Sequence, residues 1–144
     1  MSKEIQFILT GINTLEFATI ESNLNELFKE AGLNTTIDFA IDEENTAIEC
    51  ILKFELLLDD NPIIIISVSC EFDIEENTWE QFKNAKKTVL NVPKGFIQHL
   101  AMITVGTARG VLHAKTENTP FNQYFLPQLN VAEMLDKNLK IDLD

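Results

Sequence analysis

The side chains with chemistry to offer are few and lie far apart. His99 and His113 fall in one long helical pattern, fourteen positions apart. At helical rise they sit roughly 20 Å from each other along the axis, so one chain cannot bring them into one site. His113 falls near the end of that pattern, where a histidine commonly caps or meets the helix dipole. Cys50 and Cys70 lie inside strand patterns and read as small buried apolar residues of a reducing compartment. Two cysteines and two distant histidines fall short of a metal ligand set. The acids at 42–44 and at Asp59 and Asp60 occupy turn signals and read as solvated. No GxxxxGK[ST] phosphate loop is present. The expectation is therefore no catalytic residue, no metal and no cofactor. What remains is adhesion: Trp79 and Phe82 in one irregular stretch, and Phe121, Tyr124 and Phe125 in another, are large anchors for an apolar or aromatic polypeptide. The structural alternative is that these five rings cover the sheet.

Bulk properties agree with adhesion. Lys plus Arg is 11 and Asp plus Glu is 23, a formal net charge of −12. Such a chain repels phosphate, which argues against nucleic acid and anionic lipid and favours cationic polypeptide. Ten Phe against one Tyr and one Trp favour dry packing or an apolar binding surface. The 144 residues, 45% of them hydrophobic, suffice for one domain (1–144) with a real core. No apolar run is long enough to span a bilayer. Met1-Ser2-Lys3-Glu4 leads directly into strand-like residues, so no signal peptide and a cytoplasmic location are expected.

The elements that must position these residues follow from periodicity. Ile5 to Ile20 alternates as a half-buried strand with a bulge near Gly11-Ile12-Asn13. Glu21 to Leu33 changes to helical spacing through Leu24, Leu27, Phe28 and Ala31, with Ser22 as cap and Gly32 as stop. Thr36 to Asp42 alternates again. Thr46 to Leu58 and Ile63 to Ile74 form a hairpin across Asp59-Asp60-Asn61-Pro62. Their core faces are Ile48, Cys50, Leu52, Phe54 and Leu56, and Ile64, Ile66, Val68, Cys70, Phe72 and Ile74. Leu57, Ile63 and Ile65 are apolar on the opposite face, as if a second subunit covered part of it. Thr78 and Gln81 form a possible capping box at 75–92.

Pro93 suits the first turn of a helix. Phe96, Leu100, Ile103, Thr107 and Val111 then recur at helical spacing, with Met102 and Val105 on the other side, so the helix reads as sandwiched between layers. Gly106 and Gly110 share one face. Either they allow close approach of another helix, or Gly110 ends this one. Val111 to Pro127 reads as a polar lid or binding loop, Asn130 and Glu133 as the capping pair of a short helix, and 137–144 as a polar tail. Strands followed by helices make an α+β protein: a four-stranded antiparallel sheet covered by a long C-terminal helix and a short second one.

In order and spacing these pieces resemble the SecB protein-export chaperones over nearly the whole chain. The first strand from Ile5 through Leu15-Glu16-Phe17 resembles the family's opening strand. The hairpin from Ala47 closes on Phe72-Asp73-Ile74, similar to the family's Phe-x-Ile, and Arg109-Gly110 followed by Pro127-Gln128-Leu129-Asn130 is the most specific match. The resemblance implies an ATP-independent cytosolic holder of unfolded polypeptides. It also implies a homotetramer built as a dimer of dimers, and a partnership with the SecA motor. The interface would involve Phe96, Leu100, Ile103, Gly106 and Gly110. Departures are Cys70-Glu71-Phe72 where the family has Gly-Ile-Phe, a longer segment between Gly110 and Pro127, an extended 21–33 region, and a short tail where the family engages SecA. The rival reading is a small-ligand or adaptor protein on the same fold, which would show one deep pocket in place of a long open groove.

Overall fold

The computed structural model describes residues 5–24, 31–124 and 126–143. Strands β1 (Phe7–Thr19), β2 (Ala31–Asp42), β3 (Ala47–Leu58) and β4 (Asn61–Ile74) form one antiparallel sheet in the order β1-β4-β3-β2. Helix α1 (Glu76–Phe82) follows, then β5 (Val89–Val92), the long α2 (Lys94–Thr116), the single-turn α3 (Val131–Met134) and β6 (Leu139–Asp142). The architecture is the α+β arrangement expected.

The β3–β4 hairpin is the centre. Asp59 and Asp60 both adopt left-handed φ, 50° and 66°, the conformation of a two-residue hairpin turn whose twist matches its strands. The even-numbered residues from Ile48 to Leu58 and from Ile64 to Ile74 are buried beneath α2, which packs on β3 and β4. Cys50 and Cys70 lie directly opposite each other in this layer, both free and fully buried. Ile63, apolar on the unexpected parity, is the extra residue at a register break and is fully buried within the chain itself.

Several boundaries differ from expectation. Glu21–Asn23 is a single 3-10 turn, and Ala31 to Leu33 belong to β2. Leu33 shares parity with Ile37, Phe39 and Ile41, so the ladder with β3 extends the strand back to Ala31. Leu27 and Phe28 lie outside the described residues. In β1 the register breaks near Gly11, as expected, and again between Thr14 and Glu16. Between the two breaks Ile12 and Thr14 oppose the core residues Cys70 and Val68. The second break returns Phe17 to the face shared by Phe7 and Leu9.

Helix α2 does not stop at Gly110 but runs six residues further, because Leu112 and Thr116 continue its buried stripe. The expected loop at 111–127 is shorter by those residues and contains a 3-10 turn at Pro120–Gln123. Asn130 caps α3 as expected, its Oδ1 accepting from Glu133 N at 3.2 Å. The proposed Thr78–Gln81 capping box is absent: Glu75 is the N-cap of α1 and makes no side-chain cap bond. The polar tail is in fact β6, paired antiparallel with β5 from Leu139–Val92 to Asp142–Val89.

Burial pushes the Cys50 thiol up to about 12 from an ordinary 9.0. The folded chain then keeps a proton that the unfolded chain loses above pH 9. This contribution is complete below pH 9 and is lost as pH rises towards 12. Thermal melts of wild type and Cys50→Ala between pH 7 and 11 should show the wild type losing its relative stability above pH 9. Parallel curves would contradict the assignment.

Candidate functional site

Helix α2 seals the middle of the sheet and leaves both sides unsealed. Every second residue of β3 is buried, whereas β1 and β2 contain no fully buried residue. On β2 the apolar row Leu33, Ile37, Phe39 and Ile41 faces the helix layer. Ile37, Phe39 and Ile41 are half-buried, and Leu33 is 45% exposed. Nothing among the described residues pairs with the outer edge of this strand, whose register to β3 runs unbroken for its full length.

The segment 126–135 returns along α2 and contains α3, and its end, Met134 and Leu135, lies beside β2 together with residues 136–139. A hollow of about 330 Å³ lies there, lined by Ile37, Phe39, Ile97, Met134, Leu135 and Leu139 and also by Asp38, Asp136, Lys137 and Asn138. On the far side of the same segment, a second hollow of about 500 Å³ lies against the outward face of α2, lined by Met102 and residues 128–132. Met102 is 62% exposed there. The segment is tied to α2 at both ends. Arg109 Nε donates to Leu126 O and Nη2 to Pro127 O, each at 3.3 Å. Gln98 Nε2 donates to Leu135 O at 2.7 Å. Together these features make two hollows, one of mixed apolar and polar lining beside β2 and one mainly apolar beside Met102, each walled in part by the strap 126–135.

The other side of the sheet has a different character. Phe7 meets Phe96 and His99 edge to face, at 5.3 and 5.7 Å between centroids. Further along, Leu9 is 43% and Ile12 is 52% exposed. On α2 the face that continues from His99 carries Ile103, Gly106 and Gly110. Nothing lies within 4 Å of a Cβ added at either glycine. Of the five interface candidates, Phe96 and Leu100 are buried against the chain's own sheet, Ile103 is half-buried, and the two glycines face outward.

The aromatic candidates need correction. Trp79, Phe82 and Phe121 are core residues, not an exposed edge. Helix α1 turns Trp79 and Phe82 inward to close one end of the core, where Phe82 lies 5.9 Å from Phe96. The indole N–H of Trp79 has no acceptor among the described residues. Tyr124 is half-buried, and Phe125 lies outside the described residues. His113 Nε2 sits 3.4 Å from Glu117 Oε1, at the opposite end of α2 from His99. Among the described residues no three His, Cys, Asp or Glu side chains converge as metal ligands. No described helix is long and apolar enough to cross a membrane.

The sheet's outer face carries a further hollow of about 510 Å³ with Asp42, Glu49, Glu71 and Asp73 on its walls. The Asn45 side-chain amide, a donor at 2.7 Å, holds the Asp42 carboxyl below its usual range. This face would repel an anion and attract a cationic chain.

The groove residues Ile37, Phe39, Met102, Leu129 and Met134 were not singled out from sequence as binding residues. Periodicity marks Phe39 as core-facing, and only the strand order places it at an edge.

No family model matches the chain, and no curated protein matches it. Among solved structures, the fold is similar to the Mycobacterium tuberculosis Rv1957 SecB-like chaperone, solved in complex with a ChAD peptide from the Rv1956 HigA1 antitoxin. The TM-score is 0.53 at 10% sequence identity, over 85% of this chain and 90% of that one. The likeness is one of fold.

The single tryptophan tests the reassigned core. Its emission should be blue-shifted and resist acrylamide quenching, and Trp79→Ala should cost about 3–5 kcal/mol in denaturant melts. Red emission with free quenching would return Trp79 to the surface.

Proposed function

We propose that this protein holds unfolded or extended polypeptides, without nucleotide, in the two grooves that the 126–135 strap walls in part. The observation that carries the reading is the row Leu33, Ile37, Phe39 and Ile41, half-covered along an unpaired strand edge. An extended chain can add its backbone to such an edge and set alternate side chains against the row. Both hollows are open rather than enclosed, which favours a polypeptide over the small ligand of the rival reading. A net charge of −12 favours basic, aromatic-rich clients and keeps an apolar surface soluble. The fold of Rv1957, a protein solved with a peptide bound, supports the same direction.

In this reading Tyr124, at the head of the strap, contacts the client together with Phe39, Met102 and Met134. Trp79, Phe82 and Phe121 are buried in the core and serve the client only through the packing of the fold. Phe125 keeps its proposed client contact. The working form is a cytoplasmic homotetramer, a dimer of dimers. Leu9 and Ile12 of β1, with Ile103, Gly106 and Gly110 of α2, form the surface on which copies meet. Leu139–Asp142, the region that the family resemblance equates with a SecA-engaging tail, is paired with β5 here. Holding is therefore proposed ahead of Sec-dependent export.

Purified protein should delay aggregation of a chemically unfolded, basic substrate in the absence of ATP. Phe39→Ala combined with Met134→Ala removes two anchors worth roughly 1.5 kcal/mol or more each, so client affinity should fall about 100-fold with the fold kept. Unchanged affinity measured well below melting would sink the groove assignment.

The oligomer is tested separately. Wild type should scatter light as a multimer at micromolar concentration. Gly106→Leu, whose new Cβ meets no atom within 4 Å in its own chain, should lower the mass while circular dichroism shows the fold kept. A monomeric wild type would refute the assembly.

A further inference from the structure

We propose that Arg109 is the positioning residue of the groove: its guanidinium latches the strap to α2 and so sets how long a client stays bound. The proposal rests on the holding function above.

Gln98, Met102, Val105 and Arg109 are spaced by four, three and four residues, so they line one side of α2. Gln98 and Arg109 stand at the two ends of that line and hold the two ends of the strap. Between them residues 128–132 pass over Met102 and leave the outer hollow beneath. From Tyr124 to Asn130 the described backbone is neither helix nor strand, so no ladder fixes its carbonyls. Leu126 and Val131 are buried as apolar anchors, while Gln128 and Asn130 face outward. The chain's one arginine lies in a protein with 23 acids, yet its hydrogen bonds among the described residues go to two successive main-chain carbonyls. A planar fork can meet both at once, whereas a lysine offers a single point of charge.

One consequence reaches both grooves. Met134 and Leu135 of this segment form a wall of the hollow beside β2, and Leu129 forms a wall of the hollow beside Met102. A shift of the strap therefore changes the width of both together. With the latch intact the walls are preorganised, and a bound chain escapes slowly. Without it the walls loosen, and dissociation speeds up while encounter does not.

The test compares wild type, Arg109→Met, which keeps the apolar stem, and Arg109→Lys, which keeps the charge. Each is examined by amide hydrogen exchange and by stopped-flow release of a fluorescent, unfolded, basic and aromatic-rich peptide. In Arg109→Met, exchange in 126–135 should rise about tenfold with β3 and β4 unchanged, the scale expected for losing a pair of hydrogen bonds. Peptide release should quicken by a similar factor, with association within about twofold of wild type. Arg109→Lys should fall between the two. Unchanged exchange in 126–135 would overturn the latch. Raised exchange with unchanged release would leave Arg109 a merely structural residue and overturn its role in residence. A wild type that holds no peptide would overturn the holding function and the residence role with it, while the exchange contrast would still decide whether the latch exists.

Discussion

One helix is narrower than four strands. Strands stand about 4.8 Å apart, so this sheet is wider than the roughly 10 Å that a single helix with its side chains covers. Helix α2 therefore seals β3 and β4 and cannot seal their neighbours. Burial follows that limit: alternate residues of β3 and β4 are inaccessible, and β1 and β2 have no fully buried residue. The apolar rows that alternation wrote into the outer strands are left partly bare, which is costly for a lone chain and useful to one that holds others.

The two bare sides are finished differently. β1 breaks register twice, and such breaks twist an edge and interrupt its backbone row. The α2 face beside β1 presents glycines, whose missing side chains suit a broad, close surface. β2 keeps a regular edge over its whole length, and residues 134–139 beside it cover it only in part. A regular edge accepts an extended chain, and a strap can adjust to what lies beneath it. The acids on the sheet's outer face add a field that favours cationic chains at either side.

The limited width of α2 also explains why the aromatic residues went inward. With the middle of the sheet under α2, the ends of the core still need closing. Trp79 and Phe82 on α1 and Phe121 in the 3-10 turn do this. Burying each ring contributes roughly 1.5–3 kcal/mol or more, which outweighs any advantage of keeping it on display. The apolar side chains left accessible include Met102, Met134 and the half-covered row of β2 on one side, and Leu9 and Ile12 of β1 on the other. Methionine in particular is unbranched and adapts to varied partners.

Much of the fold was legible in the residues. The β3–β4 hairpin, its inward face, the break near Gly11, the start of α2 after Pro93 and the Asn130 cap each follow from local chemistry: period, turn preference, or a side chain meeting a nearby backbone group. Errors arose where a partner distant in sequence decided the outcome. Gly110 is a local stop signal, but Leu112 and Thr116 still had a core to enter. Ala31 to Leu33 read as the end of a helix because Leu56 to Leu58, their ladder partners, are invisible to a local window. The tail looked merely polar until β5 gave it an edge. The aromatic rings show the same division. Composition identified large anchors, and only the packed chain determined which are buried and which apolar residues stay exposed. Exposure depends on the ratio of helix width to sheet width and on the order of the strands, and neither is a property of any one stretch of sequence.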